Sequence, residues 1–199
     1  MKVTLPEHIG DIKLGQYQKF SELDSGVGEV LYKKNVVSVF CDVDLNIVSQ
    51  FPMVQINEFY DQIKKALNEP CDFQMTFKMD GVEFGFHPNL DQMNGAEFGE
   101  FQNYCNDVKE YHRMLAVLYR PIAKKDKFGN YKLVKYNGTS EYAEKMRDFP
   151  MSVVNGVMVF FLNLKNELYQ STQKYISKAQ AKEQKRATTS RSGVGMQPL

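Results

Sequence analysis

At 199 residues and 23.0 kDa the chain has room for one domain with a tail, or for two small units sharing a core. A formal net charge of +1 argues against a dedicated nucleic-acid-binding domain, and 43% apolar residues are enough to bury such a core. With 14 Phe, 11 Tyr and no Trp, that core is expected to consist largely of aromatic rings.

In chain order, residues 1–14 read as extended, with Val3 and Leu5 alternating with polar residues before Pro6. Gly15 to Asp24 predicts a short helix with Tyr17, Phe20 and Leu23 on one face, broken by Ser25-Gly26-Val27-Gly28. Glu29 to Cys41 has a β-branched run that suits a strand, but its place in the repeat described below favours a helix. Asp44 to Gln50 reads as a further short helix. Pro52 then opens one through Asn68, with Ile56, Phe59, Tyr60, Ile63 and Leu67 spaced as an apolar stripe.

From Phe73 to Phe86 the period changes to two, and Asp80-Gly81 between the alternating runs predicts a β-hairpin. Helices are expected over Ala96 to Cys105, with Phe98 and Phe101 inward, and over Val108 to Tyr119. A second hairpin turning at Phe128-Gly129-Asn130 follows, then a helix capped by Thr139 and running to Arg147. Pro150 opens a last and longest helix, at least to Ile176. Beyond Ser177 a helix extension is expected to dissolve into a basic, disordered tail, where Lys178, Lys182, Lys185, Arg186 and Arg191 face Glu183 alone.

Two stretches repeat each other. Ile9-x-x-Ile12-x-x-x-Gln16-Tyr17-x-x-Phe20 is matched by Leu90-x-x-Met93-x-x-x-Glu97-Phe98-x-x-Phe101, and Phe51-Pro52-Met53 by Phe149-Pro150-Met151. The second pair is further apart than the first by about the length of the Lys/Gly/Asn-rich insert 121–137. The expected fold is therefore mainly α with small β-hairpins (α+β), in two similar helical halves from an internal duplication. Its parts are a first unit over 1–69, a connecting hairpin over 70–88, a second unit over 89–176 carrying the insert, and a tail over 177–199.

Catalytic motifs are absent one by one. There is no phosphate-binding Gly-x-x-x-x-Gly-Lys loop, no His-Glu-x-x-His and no Gly-x-Ser-x-Gly elbow. Gly26 and Gly28 read as a helix-to-helix turn, and Asp42-x-Asp44 as a helix start rather than a cation site, since further oxygen ligands are missing nearby. His8, His87 and His112 are scattered, without the paired spacing that zinc needs. His87 reads as a strand-end residue and His112 as a helix-surface one. Cys105 and His112 lie two turns apart if one helix spans both, but Asn106-Asp107 breaks it. No catalytic, cofactor-binding or metal-ligating residues are expected, and no cofactor.

The odd cysteines Cys41, Cys71 and Cys105 point to free thiols in a reducing compartment. Pro6, Glu7 and Asp11 interrupt any apolar leader. The longest apolar run, Val153 to Leu164, is broken by Asn155, Gly156 and Asn163. A soluble, intracellular protein is expected, with no membrane partner and at most weak nucleic-acid contacts through the tail. What remains conspicuous is aromatic. Tyr111, Tyr119, Tyr142, Tyr169 and Tyr175 in the second half are the candidate partner-binding residues, on an adaptable apolar face.

The order of parts carries one more signal. Ile12-x-Leu14-Gly15-Gln16-Tyr17 precedes Phe84-Gly85-Phe86-x-Pro88-Asn89-Leu90 and Ala96-Glu97-Phe98, and these precede Leu118-Tyr119-Arg120-Pro121-Ile122 and the Phe160-Phe161 helix. This resembles tailed-bacteriophage proteins of about this length and, remotely, the phage tail assembly chaperones. The resemblance implies a mostly helical, non-enzymatic protein of the host cytoplasm that holds the tape-measure protein, or another tail protein, during assembly. The alternative it implies is a structural virion component: a neck, connector or internal capsid protein.

Overall fold

The computed structural model describes residues 3–191, with side-chain surroundings through residue 180. The fold is mainly helical with a four-stranded antiparallel sheet. The chain divides into two compact units between Val157 and Met158. That cut differs from the expected halves 1–69 and 89–176, because strands from both sides of residue 89 join one sheet.

The first helix, α1 (Leu14–Ser21), follows a 3-10 turn at Ile9–Asp11. Gln16 Oε1 accepts from the Lys13 N–H at 2.9 Å and so satisfies a donor just ahead of the first turn. The buried face of α1 is Leu14 and Gln18, one turn apart, while Tyr17 and Phe20 are half-buried. Asp24 caps the turn Ser25–Val27, and Gly28 at φ +91° admits a reversal that a side chain would resist. Next, α2 (Glu29–Cys41) is a helix despite its β-branched residues. Val36, Val37, Phe40 and Cys41 are buried, and Asp42 ends it in the left-handed region at φ 52°. Asp44 caps α3 (Leu45–Val48), accepting from Asn46 N–H at 2.8 Å, as the helix-start reading expects. Pro52 is the N-cap of α4 (Met53–Leu67), where Ile56, Ile63 and Ala66 are fully buried.

The sheet is assembled from both predicted hairpins. Strands β1 (Thr76–Met79) and β2 (Val82–Phe86) meet through Asp80-Gly81, both at positive φ (50° and 76°), as a type I′ turn requires. The helix α5 (Gly95–Tyr104) follows a 3-10 turn at Leu90–Gln92, and α6 (Tyr111–Leu118) runs directly into β3 (Tyr119–Lys125). Strand β4 (Tyr131–Leu133) closes the second hairpin. Strand order is β1-β2-β3-β4, with Phe84 opposite Pro121 and Phe86 opposite Tyr119. The hairpins thus pair through β2 and β3 into one sheet.

Beneath the sheet lies the aromatic core that the composition predicts. Phe77 stacks on Phe84 (5.6 Å between ring centres) and meets Phe149 edge-on at 4.5 Å; Tyr119 lies 5.3 Å from Phe86. Across the sheet, the Tyr131 ring covers Gly85 so closely that a Cβ there would fall 2.5 Å from it. The Tyr131 hydroxyl donates to the Phe86 carbonyl at 2.7 Å.

The short helix α7 (Ala143–Met146) is narrower than expected and is led by backbone N–H bonds to the Thr139 carbonyl. The last helix, α8 (Met151–Arg191), begins beside α1: Leu14 N–H donates to Phe149 O at 2.9 Å, and Met151 N–H to Ile12 O at 2.8 Å. Gly156 lets its first turns touch residues 72–73, since a Cβ would fall 2.5 Å from the Asp72 carbonyl oxygen. The helix runs on through Arg191, so the extension expected beyond Ser177 is helical to that point; residues 192–199 of the expected disordered tail over 177–199 lie outside the described residues.

The repeated motifs do share local structure. Gln16 and Glu97 both occupy the third helical position and cap the helix start, each after a 3-10 turn, and both Phe-Pro-Met triplets precede a helix. Their surroundings diverge. Ile12 and Leu14 are buried, whereas their counterparts Met93 and Gly95 are not. Phe98 is 50% exposed, against the expectation that it is core, because the buried side of α5 is the one carrying Glu97. Two equivalent halves are not shown.

Candidate partner-binding surface

Several buried polar groups of the body are bound to one another. Gln18 Nε2 donates to the carbonyls of Val108 and Lys109, both at 2.9 Å, which fixes its oxygen toward Arg147 Nη1 at 2.7 Å. Arg147 Nη2 lies 3.1 Å from His112 Nε2, and since arginine only donates, that nitrogen accepts. His112 is therefore buried, not a helix-surface residue as expected: α6 turns it inward beneath α1 and α7. Burial first, and then the Arg147 charge, hold its pKa below the ordinary histidine value.

A cleft of ≈ 1070 Å³ opens over this cluster, lined by Lys13, Lys109, Arg113 and Arg147 among others. Each of these four cations has a carboxylate within reach: Asp148 at 2.8 Å, Glu22 at 3.0 Å, Glu110 at 3.2 Å and Glu144 at 2.9 Å, respectively. The cleft is thereby self-neutralised along most of its cationic rim.

A second buried cluster surrounds Glu97. Its Oε2 accepts from Asn94 N–H at 2.8 Å as a capping box, and its Oε1 pairs with Arg120 Nη2 at 2.8 Å, both side chains almost fully buried. The guanidinium lies 5.3 Å from the Tyr136 ring centre. His87, at the end of β2, is also buried, and its pKa is lowered chiefly by burial. These contacts tie α5 to β3.

Burial pushes the Cys41 thiol up to about 11 and raises that of Cys71, while Cys105, whose Sγ donates to Gln102 O, shares no bond with His112. Among the described residues no group of three or more His, Cys, Asp or Glu side chains is placed to hold a metal ion. Nor is any described helix long and apolar enough to cross a membrane.

The five candidate tyrosines fall into two sets. Tyr119 is 0% exposed and donates its hydroxyl to the Gln74 carbonyl, so it is core and presents nothing to a partner. The residue ends α6 and starts the strand that faces the Phe77–Phe149 cluster, which helical spacing alone does not reveal. Tyr111 and Tyr142 are half-buried in the body; burial raises the first phenol's pKa, and a bond to Glu141 raises the second's. Tyr169 (66% exposed) and Tyr175 (76%) stand open on α8.

They do not stand alone. Leu162 (58%), Leu168 (60%) and Ile176 (42%) are exposed on the same helix. Leu162, Tyr169 and Ile176 recur every seven residues, and Leu168 and Tyr175 do so one column over. These columns flank a third, holding Lys165 and Thr172, on one continuous side of the helix. From 162 to 176 this stripe covers about 22 Å at 1.5 Å per residue. The 7-residue period is legible in the sequence as the recurrence of Leu162, Tyr169 and Ile176.

No family model, curated protein or solved structure matches the chain.

Proposed function

We propose that this chain is a non-catalytic holding protein of a tailed bacteriophage, a tail assembly chaperone that keeps the tape-measure protein or another tail protein soluble until the tail is built. One observation carries the proposal: the exposed heptad stripe Leu162, Leu168, Tyr169, Tyr175 and Ile176 on α8. A helix free of apolar function has no reason to keep large side chains on one side in water. A face of this period fits the groove or stripe of another helix, with affinity from apolar burial at roughly 25 cal/mol per Å² before ordering costs. The self-paired polar clusters of the body agree with a supporting scaffold.

The test is co-expression with the tape-measure protein of the same genome. That protein becomes soluble and co-purifies with the wild-type chain, and loses both properties with Leu168→Asp. Failure to co-purify, together with abundant copies of this chain in purified particles by mass spectrometry, would instead assign it to the virion as a neck, connector or internal capsid component. Turnover of a small substrate, abolished by one polar substitution in the body, would overturn both readings.

A further inference from the structure

We infer that in the free protein the α8 stripe pairs antiparallel with the same stripe of a second copy, in the register that sets Lys165 of each chain against Glu183 of the other. This goes beyond the proposed function, since a client helix and the second copy compete for one face. Every residue from Lys165 to Gln180 is exposed, although a helix in a protein draws most of its stability from packing an amphipathic face. The sequence of the segment is built to cover itself. Because α8 continues to Arg191, position 183 falls three heptads after Leu162, in the column of Leu162, Tyr169 and Ile176. Ala179 likewise extends the column of Lys165 and Thr172. Positions 165 and 183 lie about 27 Å apart along one helix at 1.5 Å per residue, too far to pair within a chain.

Two helices meeting along these two columns stack them in layers, and in an antiparallel pair each layer joins one column to the other. Centred on position 174, the register gives the layers Lys165–Glu183, Tyr169–Ala179 and Ile176–Thr172, each occurring twice by two-fold symmetry, with Leu162 facing position 186 at the ends. Opposite charges meet, and each large side chain faces a smaller one, as a filled interface requires. Other pairings lose the match. Parallel, in-register pairing stacks Lys165 on Lys165, Glu183 on Glu183 and Tyr169 on Tyr169. A shift of one heptad sets Lys165 against Ile176 in one direction and Glu183 against Thr172 in the other, so a covered charge goes unpaired. Complementarity between two columns of the same helix is what an isologous interface needs, and an unrelated partner does not call for it.

Full-length protein and its variants are compared by sedimentation equilibrium over a range of concentrations, with thermal melts to show that the body stays folded. The wild type is a reversible dimer, and Ile176→Asp is a monomer. Lys165→Glu and Glu183→Lys each weaken the dimer by roughly tenfold or more, because two attractive pairs turn repulsive in each. The double variant Lys165→Glu/Glu183→Lys returns the dissociation constant to within about threefold of wild type, a recovery that parallel pairing cannot give. A wild type that stays monomeric, a dimer indifferent to the swaps, or a double variant no tighter than the single ones would overturn the inference. Co-purification of the tape-measure protein with a chain that is monomeric by itself removes this inference and leaves the proposed function standing. The swap pattern without co-purification does the reverse.

Discussion

The helices α4 and α8 each carry an apolar stripe at helical spacing, and they meet opposite fates. In α4, Ile56 and Ile63 are fully covered, and with α2 they build part of the core. In α8 the first turns behave likewise, with Met151, Val153, Val154 and Val157 buried; from Leu162 on, large apolar side chains lie open to solvent. The difference teaches that amphipathic spacing specifies a face to be covered without saying what covers it. Where the chain supplies the cover, the face is core. Where it does not, the face stays open to solvent.

The sharpest way to break this comparison is to truncate one large side chain on each side of it. Phe149 is fully buried, with Phe77 and Phe84 against its ring, so Phe149→Ala should cost on the order of 3–5 kcal/mol in urea unfolding. Leaving the midpoint unchanged would mean that the aromatic cluster is not the core. Next in size is the polar link between α5 and β3. Glu97→Ala removes a helix cap and strands the buried Arg120 guanidinium, with an expected loss of about 3 kcal/mol. A double variant with Arg120→Met should recover part of it, and the absence of any recovery would argue against direct coupling.

A smaller effect follows from pH. His87 and His112 have folded-state pKa values below the ordinary 6.5, so the unfolded chain binds more protons as acid is added. Their contribution to stability is complete above about 6.5 and declines as pH falls below it. The melting temperature should be lower at pH 5 than at pH 7, and the drop should be smaller in His112→Gln, whose amide can still accept from Arg147. An identical drop in that variant would remove His112 from the account. Smallest of all is the exposed stripe itself: Leu168→Ala should change stability by less than about 0.5 kcal/mol while weakening partner binding. A large loss of stability there would mean that the face is already covered within the free protein.

Much of the local structure was legible before any coordinates. The Asp80-Gly81 turn and the Asp44 helix start follow from chemistry within a few residues of themselves, whereas the Glu29–Cys41 helix, whose β-branched run suits a strand, is legible only from its place in the repeat, and the aromatic core only from the composition. The repeat was legible too, and its physical content is a shared way of starting a helix, with Gln16 and Glu97 each capping one. Less legible was which aromatics are covered. Phe98 and Tyr119 have similar patterns in the sequence, yet one is half exposed and the other wholly buried. Of the candidate tyrosines, Tyr169 and Tyr175 fall on the open stripe, which Leu162 and Leu168 complete.

The sequence by itself determined the helices, the two hairpins and the 7-residue apolar period of α8, because backbone propensity, turn chemistry and side-chain spacing act over short separations. Only the tertiary structure decided that β2 pairs with β3, that Glu97 meets Arg120, and that His112 turns inward against Gln18 and Arg147. Each of these contacts joins residues distant in the chain. Its free energy depends on desolvation and geometry that exist only once the intervening elements have packed.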